Sequence, residues 1–81
     1  MSEKSITVQI EHQRDYLLQA HFGHGTPSIT LDEPAPLGSG LGPSPVQMLA
    51  SAVGACLTDS LLFALRKFKQ VPEPIRTEVQ A

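Results

Sequence analysis

A long apolar segment that begins at a helix-start signal constrains this chain more than any other feature. The signal is Gly42-Pro43-Ser44-Pro45-Val46-Gln47, and a long apolar run follows it. Ser44 suits the N-cap position because its hydroxyl can accept a backbone N–H of the first turn. Pro45 suits the first helical position, and Gln47 completes a capping box with Ser44. The pattern therefore predicts one continuous helix over residues 44–69.

The apolar side chains of this helix point in nearly all directions around its axis. Such a helix is buried in a core or lies in a membrane, and residues 46–65 are about long enough to span a bilayer. Asp59 falls inside the run, and a carboxylate at the centre of a membrane costs roughly 2.5–3.5 kcal/mol. The sequence therefore favours a core helix, without a membrane partner, in which Asp59 faces water, a partner or a charge.

Length and composition set the limits for the rest of the chain. With 81 residues it forms at most one domain, and so short a chain cannot cover every face of an apolar helix. A second chain, or a missing segment of this one, is expected to cover the remaining face, and the chain is expected to be an obligate homodimer or higher oligomer. The net charge of −2 gives no basic surface for nucleic acid. The single cysteine excludes an internal disulfide framework and favours a reducing, cytoplasmic location.

Strictly alternating segments flank the helix. Residues 5–11 place Ile6, Val8 and Ile10 on one face, which predicts a half-buried strand. Residues 16–22 and 28–32 follow after polar or glycine-rich turns, so the region 5–32 is expected to be an antiparallel meander. A last alternating stretch, 75–81, predicts a final strand that stops at the last residue, as in a domain that has been cut short. The fold class expected is α+β, with the meander packed on the central helix, in a single domain over residues 1–81.

The segment 33–43, between meander and helix, is rich in glycine and proline and is expected to be a loop. Within it, Gly38-Ser39-Gly40-Leu41-Gly42 resembles an anion-binding cradle before a helix. It lacks the lysine of a nucleotide-binding P-loop and does not follow the strand-to-helix timing of a dinucleotide fingerprint. Both a simple connector and a functional loop fit this composition.

Cys56 is the first candidate for chemistry, and its neighbours Ala52, Gly54 and Ala55 are small enough to let a ligand approach. A free cysteine often serves only as a small packing residue, so both roles are open. A reactive thiol needs a nearby cation or hydrogen-bond donors, and by type Arg14 and Arg66 are the nearest candidates.

The histidines give no clear metal site. His21 and His24 could join Cys56 only if the fold brought a strand, its turn and the helix together, and no familiar zinc-ligand spacing is present. Solvated histidines are the simpler interpretation, and neither a metal nor a cofactor is expected.

The segment Leu41–Cys56 resembles the helix signature of the OsmC/Ohr family, the osmotically induced and organic-hydroperoxide-resistance proteins. The shared pattern is a Ser/Asn-Pro pair, a polar or acidic position, an apolar run and then Gly/Ser-Ala-Cys. The meander, the loop and the order of elements also agree. The resemblance covers most of this chain but only the N-terminal half of the family's pattern.

This resemblance implies a two-layer α+β fold in an intertwined homodimer with thiol peroxidase activity on small organic hydroperoxides. Cys56 matches the family's peroxidatic cysteine, and Arg14, followed by Asp15, resembles its active-site Arg-Asp pair. The acidic position just after the Ser/Asn-Pro pair is occupied here by Val46 and Gln47, so Gln47 is the candidate for that role. The family's resolving cysteine belongs to the half that this sequence lacks, so a dithiol reductant would have to restore the thiol.

Two other functions remain open from the sequence. One is a non-catalytic relative that binds a small apolar ligand in the interface cleft. The other is a truncated product whose only activity is association through its helix. Loss of the acidic residue favours the first of these over a fully active enzyme.

Overall fold

The chain folds as an α+β protein with a three-stranded antiparallel sheet and one long helix. The computed structural model describes residues 5–70 and 74–80. The elements in chain order are β1 (Gln9–Arg14), β2 (Leu17–His21), β3 (Ile29–Leu31) and α1 (Pro45–Lys67). The chain divides into two compact units, one ending at Pro45 and the other beginning at Val46.

The sheet has the strand order β1-β2-β3, as expected for a meander. Ile10 lies opposite Ala20, and Ala20 lies opposite Ile29, so the apolar positions of all three strands share one face. Ala20 and Leu31 are the buried apolar residues of the described chain, with 4% and 7% of their surface exposed. The core of the N-terminal unit is therefore small and centred on β2 and β3.

The first strand differs from the prediction in its position and its burial. It begins at Gln9 instead of Ser5, extends to Arg14, and is exposed along its whole length. Ile6 and Val8 precede it, and Ile10 is 56% exposed. The prediction of a half-buried strand is wrong because alternation defines an apolar face without supplying the layer that covers it. The strand extends into the expected turn over residues 12–15, because the chain reverses within Asp15-Tyr16 alone, where Asp15 adopts a φ of 50°.

The loop over residues 33–43 is built around the buried carboxylate of Asp32, which is 2% exposed. Its Oδ1 accepts the N–H of Glu33 at 2.8 Å, and its Oδ2 accepts the N–H groups of Ser39 and Leu41 at 3.2 Å each. A Cβ at Gly38 would overlap the carbonyl oxygen of Glu33 and Oδ1 of Asp32. The glycine at this position therefore lets the loop close around the carboxylate.

The helix α1 begins at Pro45, as predicted, which leaves Ser44 at the N-cap position. It is continuous through Gly54, as predicted, and ends at Lys67, two residues earlier than expected. There the N–H of Gln70 bonds the carbonyl of Leu65 and the N–H of Lys69 bonds that of Arg66. With Lys69 at φ 62°, this is a Schellman motif, which closes the helix without a glycine.

The final strand predicted from Ile75 is not present over residues 75–80, and Ala81 lies outside the described residues. The segment lies against α1 instead. The hydroxyls of Thr77 and Thr58 are in hydrogen-bond contact, and a Cβ on Gly54 would lie 2.9 Å from Cγ2 of Val79. Alternation of apolar residues fits an extended segment on a helix as well as a strand, and a strand also needs a hydrogen-bonding neighbour.

The expected burial of α1 is not seen in the single chain, where Gly54 is its one buried residue among those described. The helix is also long and apolar enough to cross a membrane, with a mean hydropathy of 1.7 over its most apolar part and 6% of that part buried. This single helix is weak evidence for a membrane span, because core helices of soluble proteins have the same length and composition.

Candidate functional site

Cys56 lies in the middle of α1 and is exposed, contrary to the expectation of a buried thiol. Residues three, four and seven positions away on a helix share its face. Leu49, Val53 and Phe63 have this spacing, and they are 67%, 47% and 73% exposed. We call these three residues, with Cys56, the Cys56 face. The thiol is thus accessible. Leu49, Val53 and Phe63 make much of this face apolar, while Asp59 and Ser60, three and four residues beyond Cys56, add polar neighbours.

The charged side chains of α1 do not place a cation beside the thiol of Cys56. Asp59 lies three residues beyond Cys56 on a neighbouring position and is exposed. Arg66 is ten residues away, about 15 Å along the axis at 1.5 Å per residue, so it is too far to contact the sulfur. A cation that favours the thiolate must therefore come from outside α1.

Gln47 lies on the opposite side of α1 from Cys56. The two are nine residues apart, about two and a half turns, so their side chains leave the helix in opposite directions. Gln47 instead lines an open groove of about 450 Å³ between the helix and the C-terminal segment. The other residues that line this groove are Ala50, Ser51, Gly54, Ala55, Thr77 and Val79. Within one chain, Gln47 therefore cannot act on the sulfur of Cys56.

Arg14 ends β1 and belongs to the N-terminal unit. It lines a largely polar cavity of about 300 Å³, together with its neighbour Asp15 and with Asp32 and Ser39 from the loop. The structure thus assigns Arg14 to the sheet unit and both Cys56 and Gln47 to the helix unit.

The proposed anion cradle over Gly38–Gly42 holds the chain's own carboxylate. Ser39 and Leu41 donate their N–H groups to Asp32, while Gly38 and Gly40 donate theirs to the carbonyls of Pro34 and Glu33 at 3.0 Å. Because these four donors are already engaged, the loop cannot use them to bind a phosphate. The interpretation as an anion site is therefore wrong.

His21 does not form a metal site with His24 and Cys56. Within residues 5–70 and 74–80, no three histidine, cysteine, aspartate or glutamate side chains converge as metal ligands. His21 instead bonds two neighbours on the sheet surface. Its Nδ1 lies 2.7 Å from Oγ of Ser28, and its Nε2 lies 3.2 Å from Oε1 of Glu11.

Sequence reasoning missed two arrangements. The first is the buried carboxylate of Asp32, for which the only signal was an aspartate at the end of the predicted strand 28–32, directly before the glycine- and proline-rich segment 33–43. The second is the row Glu11–His21–Ser28 across the three strands. Alternation alone placed Glu11 and His21 on polar faces of their strands, but the register was needed to bring them together.

Comparison with protein-family models, with curated proteins and with solved structures finds no significant match to this chain.

Proposed function

We propose that the chain is an OsmC-like, thiol-dependent redox protein in which Cys56 reduces small organic hydroperoxides. The observation that carries this proposal is the exposed thiol at the centre of the apolar Cys56 face. An apolar surface around a reactive group favours organic peroxides over the strongly hydrated hydrogen peroxide. The resemblance of Leu41–Cys56 to the OsmC/Ohr helix signature supports the same chemistry.

The reaction needs one sulfur and one peroxide. The thiolate of Cys56 attacks an oxygen of the hydroperoxide, the O–O bond breaks, and the released alkoxide takes a proton to become an alcohol. The sulfur loses two electrons and becomes a sulfenic acid. Since the sequence contains one cysteine, an external dithiol must complete the cycle. One of its thiols displaces water to form a mixed disulfide, and the other releases Cys56.

The active form in this proposal is an intertwined homodimer. The partner chain would cover part of the apolar surface of α1 and leave the thiol of Cys56 open to a small peroxide, and Arg14 would provide the cation that α1 lacks near the sulfur. Gln47 occupies the family's acidic position. Because it lies on the side of its own helix opposite Cys56, it would orient the Arg14 beside that sulfur only from the partner chain. These assignments make reactivity depend on assembly.

A trapping experiment tests the chemistry. The full chain is treated with less than one equivalent of an organic hydroperoxide in the presence of a sulfenic-acid trap, and labelling of Cys56 is followed by mass spectrometry. We expect Cys56 to react at least about tenfold faster than in the same chain unfolded in denaturant, because in this proposal only the folded dimer places the guanidinium of Arg14 beside the sulfur. Arg14→Ala should remove this difference.

Arg76→Ala is the matched control, since Arg76 is an exposed arginine of the C-terminal segment, and it should keep the wild-type rate. Labelling that is no faster in the folded chain than in denaturant would refute the peroxidase function. Equal effects of the two arginine variants would refute the role of Arg14.

An exposed apolar stripe on the helix unit favours a second candidate function, association without catalysis. The stripe consists of Leu57, Leu61 and Phe68, which are 62%, 48% and 73% exposed. Full burial of each such side chain contributes roughly 1.5–3 kcal/mol, so a second copy placed there would be held strongly. In this alternative the chain only associates through α1, or binds a small apolar ligand in the cleft that association creates.

Sedimentation separates the two candidates. We expect the wild-type chain to be dimeric at micromolar concentration, and Leu57→Gln to weaken the dimer at least about tenfold, while Lys67→Gln leaves it unchanged. A dimer with an unreactive Cys56 supports association alone. A stable folded monomer, or a monomer that moves onto neutral lipid vesicles, contradicts the dimer in both candidates.

A further inference from the structure

A polar row crosses the exposed face of the sheet and is independent of Cys56. It consists of Glu11 on β1, His21 at the end of β2 and Ser28 directly before β3, and we call it the Glu11–His21–Ser28 row. The register produces it. Gln9 lies opposite His21, so Glu11, two residues further, is on the same face, and Ser28 lies one position beyond the pair Ala20 and Ile29.

The hydrogen bonds of this row determine where the protons lie when the imidazole is neutral. An ionised glutamate can only accept, so Nε2 of His21 must carry the proton that it donates to Oε1 of Glu11. Nδ1 is then bare, and the hydroxyl of Ser28, 2.7 Å away, must donate to it. A hydroxyl that donates to an imidazole oriented by a carboxylate is the arrangement of an activated serine nucleophile.

The row is also open to a substrate. Ser28 is exposed, and the side chains of His21 and Glu11 are 39% and 66% exposed. An open depression of about 660 Å³ lies on the Glu11 and His21 side of the row, and it is lined by Gln9, Ile10, Glu11 and His21. A site this open cannot select a substrate by its shape. We therefore expect its substrates to be small neutral molecules with high intrinsic reactivity.

We propose that Ser28 is a nucleophile for acyl transfer from small carboxylic esters with good leaving groups, with His21 as its general base and Glu11 as the positioning residue. Oγ of Ser28 bonds the carbonyl carbon as its proton moves to Nδ1 of His21. The bond from that carbon to the alkoxy or aryloxy oxygen breaks, and the leaving group takes the proton from His21. Water then attacks the acyl carbon as His21 takes one of its protons, the bond from that carbon to Oγ of Ser28 breaks, and Oγ takes the proton back from His21. One ester and one water thus give one carboxylic acid and one alcohol.

The test uses p-nitrophenyl acetate and the full chain, with mass spectrometry to locate the acetyl group. We expect Ser28 to be acetylated at least about tenfold faster than any other hydroxyl of the chain, because a positioned general base contributes about 10²–10⁴-fold. Ser28→Ala should abolish the label, and His21→Gln should slow it at least about tenfold. His24→Gln, which changes an exposed turn histidine, should leave the rate unchanged.

The role of Glu11 has its own readout. The nitrogen chemical shifts of the His21 ring report which nitrogen carries the proton, and the wild-type chain should show the Nε2–H form. Glu11→Ala should mix the two tautomers and slow acetylation of Ser28. Matching amide spectra for the wild type and the variants establish that the sheet is intact.

Three results would overturn the proposal. One is acetylation of Ser28 at the rate of other exposed hydroxyls, which would make the row a structural hydrogen-bond chain. Another is an unchanged rate in His21→Gln with an intact sheet. The third is an acetyl group that accumulates on His21 itself and not on Ser28, which would make the histidine the nucleophile.

Discussion

Replacement of the buried aspartate at position 32 should unfold the loop that precedes the helix. In Asp32→Ala, the N–H groups of Glu33, Ser39 and Leu41 lose their common acceptor. A hydrogen bond to a charged group contributes about 1.5–3 kcal/mol. The two bonds of 3.2 Å fall at or below the lower end of this range. The variant also no longer has to desolvate a carboxylate when it folds, and this offsets part of the loss. We expect a net destabilisation of about 3–4 kcal/mol.

Asp32→Asn separates the charge from the shape. It keeps one acceptor oxygen, so the N–H of Glu33 stays paired, but the amide NH₂ faces N–H groups that Oδ2 had accepted. We expect a loss of about 2 kcal/mol. Asp15→Asn is the control, since Asp15 is exposed and asparagine tolerates its positive φ equally well, and this change should stay within about 0.5 kcal/mol.

Denaturant unfolding followed by circular dichroism measures these differences, and amide exchange locates them. The amides of Ser39 and Leu41 should exchange much faster in Asp32→Ala, while those of β2 are affected less. If Asp32→Ala is no less stable than Asp15→Asn, or if the two loop amides keep their protection, the carboxylate does not organise the loop.

Three further changes test the backbone geometry through the free energy of unfolding. Gly38→Ala should cost about 2–4 kcal/mol, because its Cβ overlaps backbone and carboxylate atoms that cannot move aside, and a neutral effect would disprove that close approach. Lys69→Gly should stabilise the chain by up to about 1 kcal/mol, since a left-handed residue closes the helix there, and a clear loss would contradict the Schellman motif. Gly54→Ala should stabilise the chain by about 1 kcal/mol through helix propensity when Val79→Ala is also present, because the side chain that the new Cβ would press against is then gone. An equal gain from Gly54→Ala in the wild-type background would mean that Val79 does not contact the helix.

The local elements of this chain follow from its sequence. The start of α1 at Pro45 follows from the Ser-Pro signal, since the cap and the fixed φ of proline act within one turn. The three strands of the meander follow from alternation and from the turns between them, apart from shifts of one to four residues at their ends. The candidate role of Cys56 also came from a local motif, and it remains a prediction.

Only the tertiary structure decided which residues meet. The register of β1, β2 and β3 joined Glu11, His21 and Ser28, although each looked like an ordinary polar position. The same is true of Asp32, whose burial depends on the path of a loop that closes over it. The physical reason is that propensity and capping act over a few neighbouring residues, whereas burial and side-chain pairing depend on elements distant in sequence.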